Sequence, residues 1–120
     1  MELKKILTAH LKWVETNGKE GERADLRNAI LQEADLHGAN LQGADMEKAK
    51  LSVADLMETN LRLANLRGAD LWMADLKDAN IQGTELQGAN LAEATNLTQK
   101  QIDTAVTDDK TVLPAGLKRS

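Results

Sequence analysis

One five-residue phrase occurs fourteen times in unbroken succession between Ala24 and Glu93. The first copy is Ala24-Asp25-Leu26-Arg27-Asn28 and the last is Ala89-Asn90-Leu91-Ala92-Glu93. A strict period over this length sets the architecture, because each unit can bury its apolar side chains only against the next. The first residue is Ala twelve times and Thr at Thr59 and Thr84. The third is Leu twelve times, with Met46 and Ile81 as exceptions. The second is Asp or Asn eleven times, interrupted by Ile30, Lys50 and Glu85. The fourth varies, and the fifth is Gly five times.

Neither regular element accommodates this pattern. In a helix, five residues advance ~140° beyond a full turn, so the leucines would leave no apolar stripe. In a long strand, strict alternation puts the next Ala on the wrong face. The phrase works when Ala-x-Leu is a short extended piece and the last two residues turn a corner, where Gly is at ease. Corners of one hand wind the chain into a coil. Successive coils then stack ~4.8 Å apart through strand-type hydrogen bonds.

The phrase A-(D/N)-L-x-x, uninterrupted over residues 24–93, resembles the pentapeptide-repeat protein family. The resemblance implies an all-β solenoid, a right-handed quadrilateral parallel β-helix with four phrases per coil. The run then makes about 3.5 coils with a height of ~17 Å. On that winding, leucines twenty residues apart stack on four inner faces. The first holds Leu26, Met46, Leu66 and Leu86; the second holds Leu31, Leu51, Leu71 and Leu91. The third holds Leu36, Leu56 and Leu76; the fourth holds Leu41, Leu61 and Ile81. Ala is expected beside them because only a methyl or a Thr side chain fits.

Stacked coils leave open edges that must be covered. Residues 2–16 fit an amphipathic helix, with Leu3, Ile6, Leu7, His10, Leu11 and Val14 at helical spacing and Trp13 widening the apolar side. Gly18 and Gly21 end it. After Ala94-Thr95 the register breaks at Asn96. Thr98 and Gln101 have capping-box spacing, so a short helix is expected over 99–106, with Ile102, Ala105 and Val106 facing the coil. Thr111-Val112-Leu113-Pro114 is expected to be extended, and Leu117 to Ser120 to be mobile. The organisation is then a capping helix and linker over 1–20, the repeat coil over 21–95, and a helical and extended cap with its tail over 96–120.

The chain of 120 residues has no cysteine, which removes disulfides and thiolate metal sites. No long apolar stretch suggests a signal peptide or membrane span, and the cytoplasm is the expected location. Six Lys or Arg stand against twelve Asp or Glu in 24–93, so the coil is acidic while both ends are slightly basic. Direct nucleic-acid binding, which needs a basic stripe, is not expected. His10 and His37 are too far apart to form a metal pair, and Ser52 has no His partner. There is no phosphate loop and no paired acid and base. A filled prism offers no cleft, so the reading is non-catalytic, with no cofactor, no metal and no small-molecule substrate.

Function must then reside on the outer columns. Face three presents Asp35, Asp55 and Asp75, with Glu58 and Asp78 nearby. Such carboxylates either accept turn N–H groups or form an acidic strip for a basic partner. Asn40, Asn60 and Asn80 suggest an amide ladder. Ile30, Val53, Trp72 and Met73 are large apolar residues where the pattern calls for polar ones. A terminal lid, with Trp13, could cover them; otherwise they mark self-association or a protein partner. The chain thus reads as an interaction module of unspecified partner. Some members of the resembling family act on DNA gyrase by imitating duplex DNA. The acidic coil fits that alternative, whereas its shortness and the absence of Phe do not.

Overall fold

The computed structural model describes Met1 to Arg119. Two helices, α1 (Leu3–Glu15) and α2 (Gln99–Thr104), bracket the repeat. Each phrase closes on a turn, as where the Ala29 N–H donates to the Leu26 carbonyl at 3.1 Å. The fifth residue of all fourteen phrases has positive φ, 56–61° at the nine non-glycine positions and 66–71° at the five glycines. Positive φ at the third place of a four-residue turn is the signature of type II. The repeat therefore fixes a corner even where Val53 or Leu63 replaces Gly.

The coils join through parallel bridges between second residues twenty positions apart. One ladder runs Asp25, Asp45, Asn65, Glu85; the next runs Ile30, Lys50, Asp70, Asn90. The third runs Asp35, Asp55, Asp75, Thr95, and the fourth Asn40, Asn60, Asn80. The extended piece contracts to one bridged residue per phrase because the Leu carbonyl is spent on closing the turn. The corners have their own ladder, in which the fifth residue donates to the fourth of the next coil: Asn28 N–H to Glu47 at 2.9 Å, Val53 N–H to Trp72 at 2.8 Å. Backbone groups are thus satisfied at bends as well as in the sides.

The interior is aliphatic and filled. Leu26, Leu31, Leu36, Leu41, Met46, Leu51, Leu56, Leu61, Leu66, Leu71, Leu76, Ile81, Leu86 and Leu91 are all buried. Each such side chain stabilises by roughly 1.5–3 kcal/mol before chain entropy is counted. Thr59 and Thr84 occupy the narrow Ala position and satisfy their hydroxyls by donating to Leu36 O at 2.9 Å and Leu61 O at 2.7 Å.

Beneath the first coil, α1 packs Leu3, Ile6 and Leu7 against the core and buries His10 completely. At the other end α2 starts on a true capping box, in which Thr98 Oγ1 accepts from Gln101 N–H and Gln101 Oε1 accepts from Thr98 N–H. It is shorter than expected, ending at Thr104. From Ala105 the chain rejoins the winding: Val106 bridges Glu85 and Val112 bridges Asn90. Val106 therefore faces outward and is 43% exposed, contrary to the inward placement expected of it. Ile102 and Ala105 are buried, as expected of them. Thr111 repeats the role of Thr59 and Thr84, donating to Leu86 O at 2.8 Å. Asp108 holds the intervening turn by accepting from Lys110 and Thr111, and reaches the coil below through Gly88 N–H at 3.0 Å. The tail is tied down further than expected. Leu117 packs on the core, and Lys118 exchanges backbone hydrogen bonds with the Gln99 side chain at 2.8 and 2.9 Å. Ser120 lies outside the described residues.

Candidate interaction surface

The corner between the second and third ladders stacks Glu33, Val53, Met73 and Glu93 as successive fifth residues. Backbone bonds from Glu33 N–H to Ser52, Val53 N–H to Trp72 and Met73 N–H to Ala92 set this register. Val53, Trp72 and Met73 are thereby brought together, 45%, 43% and 42% exposed. Trp72 is aimed by a turn in which its N–H donates to Asp70 Oδ1 at 3.1 Å. Ile30 does not join them. It sits in the first coil of the second ladder, paired with Lys50 and 70% exposed.

The N-terminal helix does not bring Trp13 to this corner. Trp13 lies at the opposite side, stacked on His10 with centroids 5.4 Å apart, and pressed against Gly43 and Gly18. An added Cβ at Gly43 would stand 3.4 Å from the indole. The covering of the apolar residues by Trp13, one of the two outcomes weighed from the sequence, is therefore not what the chain does.

Each aspartate of the third ladder accepts, through Oδ1, the N–H two residues on: His37 at 3.1 Å, Met57 at 3.0 Å, Lys77 at 3.1 Å. These carboxylates have a structural task in the turn. Asp75 also accepts from Asn96 Nδ2 at 2.9 Å. His37 lies between Asp55, at 3.6 Å, and Glu58, at 3.2 Å, and the Glu58 hydrogen bond raises its pKa above the ordinary value. Glu58 and Asp78 are consecutive fifth residues at the next corner, both exposed. Among the described residues, no group of three or more His, Cys, Asp or Glu could hold a metal ion. No helix among them is long and apolar enough to cross a membrane.

The amide ladder expected at Asn40, Asn60 and Asn80 takes another form. Each Asn Oδ1 accepts the N–H two residues on, and Asn60 Nδ2 donates to Gln42. Coil-to-coil amide bonds occur on other ladders, from Asn65 to Asp45 and from Asn90 to Asp70. Sequence reasoning also missed Leu63, which is 54% exposed on the corner column between Gly43 and Gly83. Its place was legible as a Leu in the fifth position. The other unread feature is the commitment of both His10 ring nitrogens. Nε2 donates to Gln42 O at 2.8 Å while Nδ1 accepts from Ala24 N–H at 2.9 Å.

The repeat agrees with a family model and with one solved structure. The family model for pentapeptide repeats matches residues 22–56 and 59–99 in eight copies. The crystal structure of alr5209, a pentapeptide repeat protein from Nostoc PCC 7120, is 34% identical, with 92% of this chain and 86% of that chain covered at a TM-score of 0.51. Rfr23, a pentapeptide repeat protein from the cyanobacterium Cyanothece 51142, is 31% identical, with 80% of this chain and 68% of that chain covered at a TM-score of 0.35. QnrB1, a plasmid-mediated fluoroquinolone resistance protein, is 19% identical, with 83% and 64% covered at a TM-score of 0.31. No curated protein matches the sequence. With fourteen phrases, twenty-residue bridges and a family model spanning well over half its length, the chain belongs to the pentapeptide-repeat family.

Proposed function

We propose that this chain is a non-catalytic interaction module: a right-handed, four-sided winding of about 3.5 repeat coils, capped by residues 1–20 and 96–119, that offers a partner its outer corner at Val53, Trp72 and Met73. One observation carries the reading. Val53 is a β-branched residue held at φ 60° on an exposed corner, a conformation that β-branched residues strongly resist. Strain kept beside an exposed Trp and Met points to use of that surface rather than to stability. Sedimentation and partner retention of Trp72→Asp beside wild type test it. The variant is expected to fold, since the side chain stands outside the core, and to lose association. Two monomers at high concentration, each retaining any partner equally, would refute the proposal.

A second reading, an acidic surface presented to a topoisomerase such as gyrase, is favoured by the ladder Asp35, Asp55, Asp75 and the twelve-to-six excess of acids in the coil. A supercoiling assay decides it; full gyrase activity at high protein excess removes this alternative.

A further inference from the structure

We infer that the corner at Val53, Trp72 and Met73 receives a polypeptide segment whose apolar anchor is flanked by lysine or arginine. This rests on the reading of the corner as a contact surface and adds the chemistry of what it contacts. The apolar centre is small. Three side chains that are 42–45% exposed cannot form a standard interface alone: even a fully buried Trp supplies at most ~250 Å², against ~800 Å² per partner. Most of the contact must fall on the surrounding border, and that border is acidic. Glu33 and Glu93 stand at the two ends of the column holding Val53 and Met73, both exposed. The aspartate ladder Asp35, Asp55, Asp75 runs along one side. Along the other, Asp70 is bridged to Lys50. Six carboxylates thus border the apolar centre beside one ammonium and the His37 ring, which lies 3.6 Å from Asp55.

A second copy of this chain meeting the same corner would bring like-charged borders together, which is unfavourable at close range. A cationic segment relieves that repulsion. Asp35 and Asp75 spend Oδ1 on their turns, leaving Oδ2 available. The neighbours of Trp72 in the fourth-position column, Ser52 and Ala92, are short and leave the indole unscreened. A guanidinium laid on that ring gains a cation–π attraction.

The test is a selection of random peptides on the full chain, with counter-selection on Trp72→Asp. Among Trp72-dependent binders, Lys and Arg are expected at about twice or more their frequency in the unselected library, next to an apolar residue. The double variant Glu33→Gln, Glu93→Gln is expected to weaken an enriched peptide about fivefold, and added salt to weaken it further. Trp72-dependent binders with no basic bias would overturn the partner chemistry and leave the contact surface standing. A Trp72-dependent dimer in sedimentation would likewise overturn it, making the occupant a second copy. If neither Trp72-dependent peptides nor Trp72-dependent association emerge, the contact surface falls as well.

Discussion

His10 is held by a geometry that admits one protonation state. Its Nδ1 accepts from the Ala24 N–H and its Nε2 donates to Gln42 O, so a second ring proton would point at a donor. Burial pushes its pKa down, outweighing the upward pull of the Gln42 carbonyl, and Arg23 lowers it further. The folded chain therefore binds this proton less readily than the unfolded one. Its contribution to stability is complete above the unfolded value of ~6.5 and is lost as pH falls below it. His37 has the opposite sign: its raised pKa supplies stability below ~6.5 that fades as pH rises through the raised value. In a His37→Gln background, the melting temperature is expected to fall between pH ~7.5 and ~5.5, and His10→Asn to flatten that slope. A slope unchanged by His10→Asn would refute the assignment. Val53 yields a second expectation. Asn tolerates the left-handed region far better, so Val53→Asn should raise stability by about 1 kcal/mol in denaturant titration while abolishing the contact at the corner.

At the scale of the element, α1 is fastened by a close approach as well as by the packing of Leu3, Ile6 and Leu7 on the core. At Gly21, φ is 72°, and an added Cβ would run into the Ala9 carbonyl. That residue donates no side chain, yet it lets the linker fold back so that Glu22 N–H reaches Ala9 O at 3.1 Å. Gly21→Ala should cost more than ~1 kcal/mol and free Trp13 from Gly43, read as a red shift in indole fluorescence. An unshifted spectrum with unchanged stability would contradict the clasp. The existence of α1 was legible from Leu3, Ile6 and Leu7 at helical spacing, because burying one face is a local pattern. The landing point of Trp13 was not, since it depends on a missing side chain at Gly43, forty-odd positions from the start of the chain. The cap at α2 shows the same division. Thr98 and Gln101 announced the helix start, but nothing local told that Ala105 would resume the winding and turn Val106 outward.

Across the whole molecule, the repeat made the core readable residue by residue, because one phrase occupies one geometric slot fourteen times. Ala54, 1% exposed in that slot, gives the sharpest check. Ala54→Leu is expected to overpack the interior by ~1–3 kcal/mol or more; a melting curve matching wild type would contradict the inward assignment. The exterior was less readable, since a column of aspartates has the same spelling whether it braces turns or meets a partner. The molecule measures 41 × 25 × 22 Å, and every bridge within the repeat spans twenty residues. That uniform span governs how the shape is acquired. One isolated phrase must pass through a left-handed corner with nothing above or below to hold it. Closing the first twenty-residue loop is therefore the entropic hurdle, and each later turn of chain adds to a surface already formed. Acquisition should then behave as a zipper with a costly first tooth, sensitive to lesions wherever the first pair of coils meets.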